Sequence, residues 1–421
     1  MSTIFAPITG RGGAVATLRL SGPGSFQIIE ELAGFLPAPR RVSLRRLRLQ
    51  GQVLDEALIA IFPAPYSFTG EDVAELSIHG GRAVLAAVSA ALVALGARPA
   101  EPGEFSRRAF ENGRMDLLQA EAMADLIAAE TEAQRVQALD GRLHEACMAW
   151  RERLRQLMAR QEALIDFPDE DLPPEVDEEL RGGISALRDE MQATLHAAPA
   201  ASLLREGLEF VILGPPNAGK STLLNALAGE EVAIVSDIPG TTRDAVGVRV
   251  DLGGVPVHLT DTAGLRDSGD VIEAEGVRRA KAKAAHADFV ILVAAPGEDF
   301  APPPVGAAVL RVRTKADVHE DSREFCVSAK TGQGMAALRA RLVEETHALT
   351  DRQGAAALAR PRQVACVRDT VIALDMALAL DEPELRGEEL RNAAQALARL
   401  AGGIGVEEIL DAVFSGFCIG K

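Results

Sequence analysis

Residues 214–221 restrict the fold of this chain more than any other segment, because they fit the pattern G-x-x-x-x-G-K-[ST]. A β-rich apolar run precedes them at residues 209–213, and a helical stretch follows at residues 222–228. In a strand–loop–helix setting, glycines let backbone N–H groups approach phosphate oxygens, and the helix N-terminus attracts the anion. We therefore predict a phosphate-binding loop in which Lys220 neutralises phosphate charge and Ser221 ligates Mg²⁺.

Changes in residue pattern along the chain predict several domains. Residues 205–348 alternate β-rich and helical runs, which is typical of an α/β fold with a mostly parallel sheet and helices on both faces. Residues 114–204 and 349–421 are helix-rich, so we predict a helical domain split by this insertion. Residues 1–113 mix short apolar runs with turns and predict an α+β domain. The acidic segment 166–179 contains three prolines and predicts a solvated linker, or a segment that repels or orients a neighbour.

The composition narrows the function classes. Lys and Arg number 44 against 61 Asp and Glu, and the net charge of −17 disfavours a freestanding, nonspecific nucleic-acid binder. A local patch or a partner protein could still handle nucleic acid. Four scattered cysteines in 421 residues argue against a disulfide framework or a CxxC zinc site and favour the reducing cytoplasm. Neither a secretion signal nor a membrane-spanning segment is indicated.

Four further motifs follow the phosphate loop along the chain. The loop Gly240-Thr241-Thr242-Arg243-Asp244 offers a hydroxyl for Mg²⁺, and Asp261-Thr262-Ala263-Gly264 places a carboxylate after a predicted strand, where it can hold the Mg²⁺ shell. Thr314-Lys315-Ala316-Asp317 and Ser328-Ala329-Lys330 also follow predicted strands. A carboxylate at Asp317 can accept both guanine N1–H and the exocyclic amine, which favours GTP over ATP.

In this order the five elements resemble a small, Ras-like GTPase, with two departures. Thr314 stands where the base-binding motif usually begins with Asn, so we expect guanine selectivity through Asp317 with reduced affinity. Leu265 stands where such enzymes commonly carry the Gln that orients the attacking water. Another polar group must then act, and the candidates just downstream are Asp267, Asp270, Glu273 and Glu275. A cation held by Asn217 could take the place of an arginine finger.

The whole chain resembles the MnmE/TrmE family, the potassium-dependent tRNA modification GTPases. The resemblance is carried by Arg11-Gly12-Gly13, by the segments at residues 65–72 and 102–106, by His79-Gly80-Gly81, and by Phe417-Cys418-Ile419-Gly420-Lys421. It implies an N-terminal tetrahydrofolate-binding and dimerisation domain at residues 1–113. It also implies a helical domain at residues 114–204 and 349–421, and an inserted GTPase domain at residues 205–348.

The resemblance implies a set of nucleotide and cation ligands. K⁺ would lie at Asn217, Ser236, Ile238 and Thr241, and Mg²⁺ at Ser221 and Thr242. Glu273 would orient the attacking water when two GTPase domains meet across the dimer, with Glu275 as the second choice. GTP and GDP would contact Asn217, Ala218, Gly219, Lys220, Ser221, Thr222, Ser236, Asp237, Ile238, Pro239, Gly240, Thr241, Thr242, Asp261, Thr262, Ala263, Gly264, Thr314, Lys315, Ala316, Asp317, Ser328, Ala329 and Lys330.

A site for 5-formyl- or 5,10-methylene-tetrahydrofolate is implied at Arg19, Glu75, Arg114 and Lys421. At the third of these positions the family often has Lys, and Arg keeps the charge but changes the donor geometry. Without the resemblance, Arg19 and Glu75 could equally form an ordinary cross-strand surface pair.

The roles of the four cysteines and of His79 are predicted with alternatives. Cys418 is either a catalytic thiol at the modification site or part of a mobile tail that closes over the folate. Cys147, Cys326 and Cys366 lie in apolar surroundings and are expected in the core. His79, in a Gly-rich turn, is expected to be a hydrogen-bonded turn residue, or alternatively a substrate contact.

The resemblance implies an enzyme that acts with an FAD-dependent partner of the MnmG/GidA type, in a heterotetramer, on C5 of the wobble uridine of certain tRNAs. The product would carry an aminomethyl-type or carboxymethylaminomethyl group built with a folate one-carbon unit. One alternative is a regulatory GTPase of ribosome assembly, which predicts a basic RNA-binding appendage; we expect no Lys/Arg-rich run of that kind. The other is a folate-dependent one-carbon transferase with a merely regulatory GTPase domain.

Overall fold

A computed structural model describes residues 2–10, 12–166, 174–229, 247–261, 286–303, 306, 308–318, 325–351, 354–403, 410, 413–414 and 420. The chain divides into two compact units. One consists of Met1–Ala124 with Ala398–Lys421, and the other of Asp125–Leu397. Within the described residues, no helix is both long enough and apolar enough to span a membrane.

The first unit contains a six-stranded sheet in the order β3-β4-β5-β2-β1-β6. All neighbours pair antiparallel except β1 and β6, which are parallel. Buried aliphatic side chains of the strands pack against those of α1 and α2, which gives the predicted α+β fold its core. The elements are β1 (Ile4–Pro7), β2 (Val15–Ser21), α1 (Ser25–Ala33), β3 (Ser43–Leu49), β4 (Gln52–Phe62), β5 (Val73–His79), α2 (Arg82–Ala94), β6 (Arg98–Pro99) and α3 (Glu104–Glu111). Helix α4 (Leu117–Ala128) follows and continues into the second unit from Asp125 onward.

Helices of the second unit occupy much of the two predicted helix-rich stretches, although residues 114–124 and 398–421 belong to the first unit. Its helices before the α/β module are α5 (Glu132–Leu139), α6 (Arg142–Asp166) and α7 (Pro174–Glu206). Helix α7 begins at Pro174, so the prediction of a linker throughout residues 166–179 was wrong for residues 174–179. Proline is tolerated in the first turn, and the acidic Glu175 and Asp177 favour the positive end of the helix dipole.

The α/β module of the second unit has a sheet in the order β12-β11-β10-β7-β9-β8. Only β8 is antiparallel to its neighbour, so the prediction of a mostly parallel sheet is confirmed. The rings of Phe210 and Phe289 lie 5.0 Å apart in its core. The elements are β7 (Leu208–Leu213), α8 (Lys220–Leu227), β8 (Gly247–Leu252), β9 (Val255–Asp261), β10 (Phe289–Ala294), β11 (Ala308–Arg313), β12 (Phe325–Cys326) and α9 (Met335–Thr350), followed by α10 (Pro361–Ala379) and α11 (Pro383–Ala401).

One carboxylate joins the two segments through which the chain enters and leaves the α/β module. Asp125, in α4, accepts a hydrogen bond of 2.9 Å from Nε of Arg205 and one of 2.6 Å from Nη2 of Arg360. Arg205 lies just before β7, and Arg360 just before α10. The ion pairs therefore hold both connections to the module at one point of the helical region.

Candidate functional site

The backbone of residues 214–221 turns sharply between β7 and α8. Gly214 approaches β10 so closely that a Cβ atom there would lie 2.0 Å from the carbonyl oxygen of Val293. Asn217 and Gly219 have φ of 63° and 85°, a left-handed conformation that glycine adopts without strain. Gly219 also caps the N-terminus of α8. The loop therefore leads directly into the N-terminus of a helix, the position at which proteins bind anions.

Lys220 is a buried cation whose ammonium contacts backbone oxygens. Its side chain donates to the carbonyl oxygens of Gly214 at 2.9 Å and Pro215 at 2.7 Å, and the residue is 6% exposed. Burial lowers the pKa of Lys220, while the negative charges of Asp261 and Glu298 oppose this shift. The charged form is therefore less stable in the folded chain than in water, and a phosphate at the loop would stabilise it.

Ser221 and Asp261 come together at the carboxyl end of the sheet. The hydroxyl of Ser221 donates to Oδ2 of Asp261 at 2.5 Å. Asp261 ends β9, where it lies beside Ile212 of β7, and it is 4% exposed. A hydroxyl and a buried carboxylate at the phosphate loop are hard oxygen donors of the kind that Mg²⁺ takes, so this pair fits the predicted metal position.

The base-binding segment is linked to the phosphate loop through Thr314. Its hydroxyl donates to the carbonyl oxygens of Ala218 at 2.6 Å and Ala294 at 3.2 Å, and the residue is 4% exposed. Lys315 has a φ of 56°, and Ala316 N–H donates to Val327 O at 3.1 Å. Threonine therefore connects the two loops even though it lacks the amide of the usual asparagine.

Asp317 is held by the segment that follows β12. The hydroxyl of Ser328 donates to Oδ1 of Asp317 at 2.7 Å, and this hydrogen bond lowers the pKa of Asp317. Ala329 and Lys330 continue the same turn, and the charge of Lys330 contributes to the shift. The carboxylate is thus ionised and oriented at the position predicted to accept guanine N–H groups.

The structure brings the described nucleotide residues, Asn217 to Thr222 with Asp261, Thr314 to Asp317 and Ser328 to Lys330, to the strand ends and loops of one module. Other predicted site residues lie outside the described residues and stay predictions. They are Ser236, Asp237, Ile238, Pro239, Gly240, Thr241, Thr242, Thr262, Ala263, Gly264, Glu273 with its alternatives Asp267, Asp270 and Glu275, Cys418 and Lys421. Asn217 is thus the described member of the K⁺ set, and Ser221 that of the Mg²⁺ set.

Arg19 and Glu75 face each other on neighbouring strands of the first unit. They are register partners in β2 and β5, and Nε and Nη2 of Arg19 donate to Oε1 of Glu75 at 3.0 and 2.9 Å. The guanidinium lies 4.8 Å from the ring centroid of Phe68 and 5.9 Å from that of Phe105. This geometry suits a planar, anionic ligand, and it equally describes a cross-strand ion pair.

Arg114 contacts different residues from those that surround the pair of Arg19 and Glu75. Its backbone N–H donates to Ala109 O at 2.7 Å, and its side chain is exposed beside Gly70. In the described part of the chain, neither a hydrogen bond nor an ion pair joins Arg114 to Arg19 or Glu75.

The first unit also contains an ionic network around Arg108 that the sequence did not predict. Arg108, 5% exposed, donates to Oε2 of Glu71 at 3.0 Å and to Oε1 of Glu104 at 2.9 Å. Glu104 also accepts two hydrogen bonds from Arg98, and Ser21 donates to Glu71 at 2.6 Å. The segments 65–72 and 102–106 carried the family resemblance, but nothing in their spacing indicated that their charges meet.

The histidine and cysteine predictions have mixed outcomes. His79 is hydrogen-bonded as expected, but it is the last residue of β5, and its Nδ1 lies 2.7 Å from Oδ1 of Asp55. Cys147 and Cys366 are buried, which confirms the prediction for them. Cys326 is only half-buried, so the prediction was wrong there, because β12 is an edge strand of the sheet.

Comparisons with known proteins cover the whole chain. The family model of the MnmE helical domain matches residues 117–418, and that of the GTP-binding protein TrmE N-terminus matches residues 3–114. The tRNA modification GTPase MnmE of Acidiphilium cryptum is 61% identical over 427 residues, covering 99% of this chain and 98% of that protein. The protein of the same name from Gluconacetobacter diazotrophicus is 53% identical over 430 residues, with coverage of 99% and 98%.

Among solved structures, the G domain of the FeoB iron transporter of T. maritima matches at 24% identity. The match covers 33% of this chain and 98% of that domain, with a TM-score of 0.24.

Proposed function

This chain belongs to the MnmE family of tRNA modification GTPases, and from that membership we propose that it hydrolyses GTP to drive modification of C5 of the wobble uridine in certain tRNAs. The single observation that carries the proposal is the arrangement at the phosphate loop. There Lys220 is buried with its ammonium on backbone oxygens, beside the Ser221–Asp261 pair. The oriented carboxylate of Asp317 supports guanine as the base.

Cations would complete the catalytic site. Ser221 with Thr242 would hold Mg²⁺, and Asn217 with Ser236, Ile238 and Thr241 would hold K⁺. When bound, these ions neutralise charge that develops on the β- and γ-phosphates. Lys220 would bind the phosphate oxygens, and Glu273 would orient the attacking water in place of the glutamine that Leu265 replaces.

The first unit would supply the one-carbon chemistry. Arg19, Glu75, Arg114 and Lys421 would bind 5-formyl- or 5,10-methylene-tetrahydrofolate, and the cation–π contacts of Arg19 with Phe68 and Phe105 support a planar ligand beside it. Cys418 would act as a thiol near this site or lie on a tail that covers it. Residues 1–113 would form the dimerising folate domain, residues 114–204 with 349–421 the helical domain, and residues 205–348 the GTPase domain.

An FAD-dependent partner of the MnmG/GidA type would complete a cytoplasmic heterotetramer that acts on tRNA. The ion pairs of Asp125 with Arg205 and Arg360 support a mechanical role for the helical region, because they tie down both chain connections to the module. Motion of the GTPase domain would then reach the rest of the chain through this point.

The test compares GTP hydrolysis in KCl and in NaCl for the wild type and for Glu273→Ala. We expect faster hydrolysis in KCl, and loss of this turnover with retained GDP binding in the variant. Equal rates in the two salts would contradict the K⁺ mechanism.

A second test is the analysis of wobble uridines in tRNA from a strain that lacks the protein, which must show loss of the modified base. Unchanged tRNA would contradict the pathway and favour ribosome assembly as the role.

A further inference from the structure

Strand β3 and the turn before it carry an unusual concentration of positive charge. Five arginines fall within residues 40–48, in a chain whose net charge is −17. We call Arg40, Arg41, Arg45, Arg46 and Arg48 the arginine edge, because β3 is the terminal strand of its sheet. The expectation that the chain has no arginine-rich run was therefore wrong.

All five arginines of the edge are exposed, and acidic neighbours are few. Residues 37–60 contain only two acids, Asp55 and Glu56. Glu56 lies 2.6 Å from Arg46, and Asp55 pairs with His79. Helix α1, which packs against β3, carries Glu30 and Glu31, but no described ion pair joins them to the edge.

The other four arginines are not paired with carboxylates in the described part of the chain. Arg40 donates to the carbonyl oxygen of Tyr66, and Arg45 to that of Leu44 at 2.9 Å. The side chains of Arg41 and Arg48 make neither a hydrogen bond nor an ion pair with the described residues. Uncompensated guanidinium groups on one strand edge attract polyanions and bind phosphate through paired N–H donors.

Two exposed aromatic rings lie beside these charges. The guanidinium of Arg45 lies 4.6 Å from the ring centroid of Phe35, which is 42% exposed. Tyr66, whose backbone carbonyl oxygen accepts from Arg40, is 70% exposed. Unstacked bases of single-stranded RNA loops stack on aromatic rings, while arginines contact the backbone. An acidic protein would bind the arginines but would gain less from the exposed ring of Phe35 beside Arg45.

We propose that the arginine edge binds the phosphate backbone of RNA, with Phe35 and Tyr66 as stacking platforms for unpaired bases. This inference rests on the proposed function for its RNA, a tRNA. It assigns to the first unit a local basic surface that the overall charge of the chain conceals. The edge would contact phosphates without reading sequence, so it would contribute affinity and not choice among tRNAs.

Edge-strand charge has another known use, the prevention of strand-to-strand aggregation. Charge reversal separates the two roles, since glutamate at the same positions still blocks pairing between edges but repels phosphate. Arg41→Glu combined with Arg48→Glu changes two side chains without described partners. The matched control is Arg151→Glu with Arg160→Glu, two exposed arginines of α6 that also lack described partners.

The experiment measures binding of a labelled, unmodified tRNA transcript to the full chain by fluorescence anisotropy across a range of KCl concentrations. We expect the edge variant to lose at least about tenfold in affinity at low salt, and the slope of log affinity against log salt to fall by about two. The control should match the wild type in both. Phe35→Ala should weaken binding several-fold with an unchanged slope.

Equal affinity of the edge and control variants would overturn the proposal, as would an absence of tRNA binding by the wild type. If the edge variant binds tRNA normally but loses a flavoprotein partner, the surface serves an acidic protein instead. GTP hydrolysis measured alongside distinguishes the two failures, because loss of the proposed function changes turnover or tRNA modification, whereas failure of this inference leaves both intact.

Discussion

Arg108 in the first unit and Lys220 in the second are both buried cations, but their neighbours differ. Arg108 is surrounded by the carboxylates of Glu71 and Glu104, so its charge is compensated within the fold. Lys220 donates to two backbone carbonyl oxygens. Burying a charge is costly unless it is paired, and of these two cations Arg108 is the one whose hydrogen bonds go to carboxylates. The network around Arg108 is a structural scaffold, because its own carboxylates neutralise the cation. The phosphate loop is a binding site, because a bound phosphate would neutralise Lys220.

The pKa of Glu104 in the first unit and that of Lys220 in the second are both lowered, but the two shifts have opposite effects on the charged form. Burial alone would raise the pKa of Glu104, but hydrogen bonds from Arg98, from the backbone of Glu101 and from Arg108 lower it below 4.5. Burial lowers the pKa of Lys220 below 10.5. For a carboxylate a lowered pKa means that folding favours the charged form, whereas for an amine it means that folding disfavours it.

Removing the compensated cation should have the largest effect. Arg108→Ala leaves the part-buried carboxylate of Glu71 without its guanidinium partner, and we expect a loss of about 3 kcal/mol or more in unfolding free energy. The control is Arg107→Ala, the neighbouring residue, whose side chain is 40% exposed and pairs with Glu111, and which should cost about 0.5 kcal/mol or less. Urea denaturation of both variants measures the difference. Similar costs would mean that the network is not a scaffold.

Removing the cation of the site should change binding more than stability. Lys220→Ala should weaken GDP binding about 10- to 100-fold, because a charge-assisted contact to phosphate is lost. Its unfolding free energy without nucleotide should change far less than that of Arg108→Ala, since the charged lysine is itself disfavoured by burial. Calorimetric titration and urea denaturation give the two quantities. A loss of stability as large as that of Arg108→Ala would remove the distinction between the two regions.

Thr314 offers a finer probe of the site. Thr314→Val keeps the shape but leaves the buried carbonyl oxygen of Ala218 without its 2.6 Å donor. We expect about a fivefold loss in GDP affinity, equivalent to about 1 kcal/mol. Thr314→Ser, which keeps the hydroxyl, should bind GDP nearly as the wild type does. Equal binding by the valine and serine variants would exclude a linking role for the hydroxyl.

The smallest expected effect is on the acid sensitivity of folding stability, and it arises from Glu104 in the network around Arg108. The contribution of Glu104 to stability is present above its ordinary pKa of 4.5 and is lost as pH falls through its lower folded value. Glu104→Gln should therefore show a flatter decline in melting temperature below about pH 4.5 than the wild type does. Thermal melts between about pH 6 and pH 3 measure it. Parallel declines would contradict the assignment of the shift to this network.

Local patterns predicted the site better than they predicted the scaffold. The loop at residues 214–221 and the strands around it were predictable because spacing, glycines and flanking runs all lie within one short segment. The ion pair of Glu71 with Arg108 was not, because packing brings together two residues that are 37 positions apart in the sequence. The arginine edge was local in sequence but became a surface only once β3 was placed at the end of its sheet.

The central claim is that the charge of Lys220, which burial disfavours, would be stabilised by a phosphate bound at the loop. GDP binding to the full chain, measured calorimetrically in two buffers of different ionisation enthalpy, reports the protons exchanged. We expect more net proton uptake at an alkaline pH just below 10.5 than at neutral pH, because the lowered pKa of Lys220 rises when phosphate binds. Equal and zero proton exchange at both pH values would contradict it.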